Sequence, residues 1–204
     1  ESDALRAYYE QAGILIARPA GGTSCRLAIS AKGGTNAENH NHNDVGSYAV
    51  ALGSETMVGD QGGPNSYPGD YFNGDAPQKY KIKGSFGHPV PVVDGRTQSS
   101  GGKAKGVVLQ KEFTNEKDVF SIDYTSAYST PNLDKLIRTF VYDRQGKGSF
   151  TVGDEFTAKT PIRFETAITT RADWKILDDT HLLLATDSEQ MIVAIEASGK
   201  VAFL

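Results

Sequence analysis

Beyond residue 13, apolar and polar positions alternate with a period of two along most of the chain. Segments reading ILIAR, RLAIS, SYAVAL, GVVLQKEF, DVFSID, LIRTFVY, SFTVGD, IRFETAIT, HLLLAT and MIVAIEA have strand length and are rich in β-branched and aromatic residues. In SYAVAL the alternation puts Tyr48, Val50 and Leu52 on one face and Ser47, Ala49 and Ala51 on the other. Asp94-Gly95 and Gln145-Gly146 mark turns. The opening residues follow a different rhythm. Leu5, Tyr8, Tyr9 and Ala12 share an i, i+3, i+4, i+7 stripe, Ser2 or Asp3 stands at a capping position, and Gly13 sits where a helix would stop. The expectation is therefore an all-β chain, an antiparallel β-sandwich of two large sheets with a short N-terminal helix. Residues 1–12 form a helical linker remnant and residues 13–204 the domain.

The alternation weakens between about residues 61 and 102, which hold most of the prolines and a run of aromatics. A loop of that length in a compact domain is usually functional or mobile. Composition adds only bounds. With 38% apolar and 23% charged residues the chain is an ordinary globular one, and 204 residues suffice for a substantial core. A net charge of −4 gives no overall field for nucleic acid or an anionic membrane. The single cysteine, Cys25, excludes an internal disulfide. No apolar run approaches the ~20 residues of a membrane-spanning helix. The first residue is Glu1, not methionine, which reads as a mature form or an excised fragment.

Chemistry concentrates in NAENHNHNDVGSYAVALG, residues 36–53. On an extended segment His40, His42 and Asp44 would project together, within reach of one ion or one substrate group. Imidazole and carboxylate suit zinc, which takes four such ligands, so distant partners are needed. Asp60 and His88 are the candidates, while His181, before a strand, reads as structural. Two better-known patterns fail. The metallo-hydrolase H-x-H-x-D-H has Val45 at its last position, and a cupin would need a glutamate well before Glu55.

The stretch NHNHNDVGSYAVALGSETMVGDQGGPNSY resembles the central signature of the heparinase II/III-like family, the C-terminal β-sandwich domain of bacterial polysaccharide lyases. GSFGHPVPVVDGRTQ is similar to the next block of that signature, and LIRTFVYDRQGKGSFTVGDEF to a third. The three lie in the right order over roughly residues 13–170. The resemblance implies that His42, Asp60 and His88 bind zinc, with calcium as the alternative ion, in a site closed by protein ligands and water. It also implies that His40 is catalytic at the cleft and that Asn43 and Asp44 orient the histidines by hydrogen bonds. In this chain His88 precedes Pro89, where the family usually writes asparagine, and the proline holds His88 extended.

The reaction implied is β-elimination on a uronic-acid-containing polysaccharide, in a periplasmic or secreted bacterial protein. The family's catalytic tyrosine belongs to an N-terminal α-helical toroid, a partner domain outside these residues, so the isolated chain is expected to be inactive. Tyr67, Tyr71 and Lys79 are candidate substrate contacts. Lys79, Lys81 and Lys83 alternate and would form a basic strip on one face, whereas Arg138 and Arg144 read as structural ion-pair partners. The competing readings are a non-catalytic glycan-binding or domain-stabilising sandwich and a free-standing metal-dependent hydrolase.

Overall fold

A computed structural model of the chain describes residues 4–60, 66–73 and 75–204. Its strands, in chain order, are β1 (Arg6–Tyr9), β2 (Ile14–Ala17), β3 (Leu27–Lys32), β4 (Thr35–Asn36), β5 (Tyr48–Leu52), β6 (Glu55–Val58), β7 (Val92–Val93) and β8 (Gly101–Lys105). They continue with β9 (Val107–Phe113), β10 (Lys117–Asp123), β11 (Leu133–Asp143), β12 (Ser149–Ala158), β13 (Phe164–Glu165), β14 (Asp173–Ile176), β15 (His181–Ala185) and β16 (Gln190–Ala194). The only helical elements among the described residues are single turns, such as Ala76–Lys79. Every strand pair is antiparallel.

Two sheets dominate: β1-β2-β3-β5-β6 and β12-β11-β10-β9. Their inner faces supply one core, Leu15, Leu27, Ile29 and Val50 from the first and Phe120, Leu136, Phe140 and Tyr142 from the second. Fully burying each of the larger apolar side chains contributes about 1.5–3 kcal/mol over leaving it exposed. Aromatic rings bridge the sheets: Tyr48 lies edge-on to Phe140 at 6.2 Å and Tyr8 to Phe120 at 5.7 Å. The sandwich read from the alternation is thus the architecture found, with β14-β15-β16 as a third, smaller sheet.

The N-terminal helix is not formed. Arg6–Tyr9 is a strand, paired with Ile14–Ala17 in the register Arg6↔Ala17 to Tyr9↔Ile14. Gly13, with φ +62, allows the chain to reverse, and a Cβ there would stand 2.6 Å from the backbone nitrogen of Gly34. Pairing with a neighbouring strand outweighs the weak helical stripe, and Tyr8 packs on Phe113 and Phe120. Arg6 and Arg144 both reach the buried Asp118, which ties this strand to β10 and β11 and bears out the structural reading of Arg144. Ser2 and Asp3, the expected caps, lie outside the described residues.

The turns fall where expected, with different loop lengths. Asp94 (φ +54) and Gly95 (φ +72) make a two-residue turn of the I′ type, closed by the Arg96 amide on the Val93 carbonyl. Around Gly146 the loop is longer, running from Asp143 to Ser149. IRFETAIT contributes only Phe164–Glu165 as strand, and Asp173–Ile176, whose residues are exposed on both faces and so carry no alternation, is a strand the pattern does not signal.

Candidate functional site

Three of the expected residues converge. His42 Nδ1 lies 3.1 Å from His88 Nε2, and Asp60 Oδ2 lies 3.4 Å from His88 Nδ1 and 4.0 Å from His42 Nδ1. One ligand atom from each falls within 4.8 Å of the others. For bonds of about 2.0–2.2 Å, a tetrahedral ion needs ligand atoms about 3.3–3.6 Å apart. The donor set, two imidazoles and a carboxylate, is one that zinc accepts; because the two short approaches use different nitrogens of His88, gathering one atom from each residue around an ion requires the side chains to draw in from separations of up to 4.8 Å. Among the described residues no other group of three metal-ligating side chains is gathered in this way.

The site is not closed. His88 is 1% exposed, His42 21% and Asp60 48%, so it has a buried wall and an open side. Burial is the main reason that both imidazoles hold protons less readily than a free histidine, with the His88 charge adding to the effect at His42. Asp44 and Asp60 pull the other way but do not prevail.

His40 is placed elsewhere. Its backbone turns left-handed (φ +59), so residues 40, 42 and 44 share no extended face, contrary to the expectation. Its exposed ring instead lies against Phe72, with centroids 4.3 Å apart. Asp44 pairs with Lys32, and Asn43, fully buried, donates to the Gln98 carbonyl at 3.0 Å and to Ser100 Oγ at 3.1 Å. Neither bonds to an imidazole, so their support differs from the expectation: Asp44 acts by charge and Asn43 by fixing the backbone.

Of what fixes the histidine segments, only the ion-pair role of Arg138 is expected from the sequence. Buried Gln98 accepts from the Val45 amide at 3.0 Å and from Asn36 Nδ2 at 3.0 Å, and donates to the Val45 carbonyl at 2.7 Å. Its own amide donates to Ser85 Oγ at 2.9 Å, in the turn that precedes His88. Arg138, on an inward position of β11, forms a two-pronged pair with Asp154 (2.8 and 2.6 Å). Its remaining nitrogen donates to the carbonyls of Gly46 and Pro89, both at 2.8 Å. Gly46 itself is left-handed (φ +86), turning the chain out of the histidine segment and into β5. An arginine in the inward register of a hydrophobic strand is a signal the alternation does contain. His88 adopts the extended geometry (φ −133, ψ 155) that Pro89 favours.

Of the candidate substrate contacts, Tyr67 is exposed, Tyr71 is buried, and Lys79 pairs with Asp70. Tyr67, Tyr71, Phe72 and Tyr80 form one cluster of rings with centroids 5.0–5.3 Å apart. Buried Tyr71 offers no stacking face to a sugar, whereas Tyr67 and Phe72 remain on the surface. The basic strip does not exist: Lys79 ends a helical turn, residues 81–83 form a turn, and Lys83 is buried. The loop residues 61–65 and 74 lie outside the described residues. His181, at the start of β15, bonds to Asp178 in the turn before it, 2.9 Å away, which fits a structural role.

No family model matches the chain, and no curated protein does either. Solved structures do. The crystal structure of the heparan sulfate lyase HepC from Pedobacter heparinus shares the fold with a TM-score of 0.74 over 97% of this chain, at 16% identity. A mutant of the same enzyme gives 0.66 over 92%, also at 16% identity. In both comparisons the chain spans 30% of the length of the solved structure.

Proposed function

We propose that this chain is the metal-binding β-sandwich domain of a polysaccharide lyase of the heparinase II/III-like type, acting on uronic-acid-containing glycans by β-elimination. The observation that carries the reading is the division of labour between residues 40 and 42. His42 turns into the cluster with Asp60 and His88, while the left-handed backbone at His40 points its imidazole out against Phe72. One histidine is committed to holding the site and the other is left for substrate. The fold shared with a heparan sulfate lyase supports the same reading.

His42, Asp60 and His88 would hold zinc, and calcium is the alternative. The ion, when bound, would fix the three segments that carry its ligands. His40 would stand at the cleft to neutralise the uronate carboxylate or move the proton α to it. The acid that assists departure of the 4-linked sugar would come from a helical toroid N-terminal to this domain. Function of this kind places the whole protein in a bacterial periplasm or outside the cell.

The test has two readouts. Metal analysis of the purified chain should find stoichiometric zinc. The ultraviolet absorbance of the unsaturated uronate product should appear with the preceding polypeptide present and be absent from residues 1–204 alone. Because the chain spans 30% of the lyase it resembles, a glycan-binding or domain-stabilising module is the second reading. Product-free binding of glycan by the longer protein would establish that reading instead.

A further inference from the structure

The third sheet ends on an open edge. Among the described residues β14 pairs with β15 on one side and with no strand on the other, and all four of its residues are exposed. The register Trp174↔Leu184 and Ile176↔Leu182 puts Trp174 and Ile176 on the face that carries the buried Leu184 and Leu182. Yet Trp174 is 65% exposed and Ile176 43%, so β14 overhangs the core on which β15 sits. Asp173 and Lys175 lie on the opposite face, and neither has an ion-pair partner among the described residues.

The backbone of this edge is set to receive another strand. The Leu177 amide donates to the His181 carbonyl at 2.9 Å, which makes these two residues a hydrogen-bonded pair in the β14-β15 register. Such pairs alternate along an antiparallel ladder, so Asp173 and Lys175 direct their amides and carbonyls to β15. Those of Trp174 and Ile176 point outward. Charge on an edge strand ordinarily keeps a second strand away. Here the two charges have opposite sign and flank the tryptophan. Two copies of one strand that pair antiparallel about a two-fold axis must set some residue opposite itself. Centring on Lys175 sets lysine against lysine, and centring on Asp173 sets aspartate against aspartate. Centring on Ile176 sets Lys175 against Leu177 and leaves both charges unanswered. Only Trp174 at the centre sets Asp173 against Lys175 of the second copy, twice, with the two indoles together on the other face. In that register the outward amide and carbonyl of Trp174 meet their own counterparts.

We propose that β14 is a self-association edge: two copies of the chain pair antiparallel through it, Trp174 on Trp174, and join their third sheets into one of six strands. The pairing gives the outward backbone groups partners, covers the overhanging Trp174 and Ile176, and neutralises Asp173 and Lys175 across the two-fold axis. It does not depend on the lyase reading.

The experiment follows molar mass by light scattering, together with tryptophan fluorescence, over chain concentrations from ~1 μM to ~1 mM. Trp174 is the only tryptophan of the chain, so the emission reports this edge alone. Mass should rise towards that of a dimer, and the emission should move to the blue in step with it. Lys175→Asp sets carboxylate against carboxylate at both pairs and should weaken association by about tenfold or more. Adding Asp173→Lys to that variant restores opposite charges with their positions exchanged, and should restore the parent's association. Both side chains are exposed, so the melting temperature at low concentration should match the parent in each variant. Three outcomes overturn the proposal: a parent monomeric throughout, a Lys175→Asp variant that associates as the parent does, or a double variant as weak as the single one. In a longer protein that includes the preceding polypeptide, an emission already blue and indifferent to concentration would show the edge covered from within, which overturns it as well.

Discussion

Arg138 donates from one guanidinium nitrogen to the Pro89 carbonyl at 2.8 Å, immediately after His88. The same nitrogen holds the Gly46 carbonyl, just beyond the His42 segment, so one side chain from the second sheet clamps both histidine-bearing loops. Asp154 keeps that charge tolerable in the core. Asp154→Asn should therefore destabilise the fold by about 3–5 kcal/mol, the usual consequence of leaving a buried charge unpaired. Urea unfolding measures it, and zinc affinity should fall in the same variant.

His42→Ala should abolish zinc uptake, and His40→Ala should leave both zinc content and melting temperature close to the parent. At zinc concentrations a hundredfold above Kd, bound metal stabilises a fold by about 2.7 kcal/mol. That increment should be present in the His40 variant and absent in the His42 variant. Metal analysis with paired melting curves decides it, and equal loss in both would refute the division of roles.

The metal-free chain should lose stability as the solution becomes acidic. His42 and His88 both bind protons less readily folded than unfolded. The unfolded chain thus takes up more protons, and stability rises with pH across the window between the folded pKa values and about 6.5. Their contribution is complete above that window and lost as pH falls through the folded values. Denaturant unfolding over this range should show the slope, and replacing both histidines with glutamine should flatten it.

Gln98→Leu should be more damaging than its volume suggests. The Val45 amide and carbonyl would lose their partner in the core, each orphaned group costing about 1–3 kcal/mol. A drop in both unfolding free energy and zinc affinity is expected, with Ser85→Ala, which removes one outlying bond, milder on both counts.

The strands were legible because a half-buried strand must alternate, and β3 and most of β11 do so clearly. The opening segment misleads because its four apolar residues satisfy a helical spacing, while its actual partner, β2, lies beyond the turn at Gly13 and adds no local periodicity. At the site, residue types were readable but backbone was not: nothing in the letters of His40 announces a positive φ. Long-range supports such as Gln98 on Val45, or Arg138 on Pro89, are set by how the sheets and loops meet, which alternation does not encode. The lysines at 79, 81 and 83 show the same limit, since their spacing assumes a strand where the chain forms a helical turn followed by a tight bend.

The unequal burial of His88 and Asp60 bears on how quickly an ion held between them would exchange. A small chelator would approach from the carboxylate, the mouth of the site, while the deep imidazole stays in place. Removal and reloading would then proceed without opening the sandwich, unlike zinc sites whose apo form is a random coil. The chain would behave as a reusable socket, emptied and refilled in the folded state.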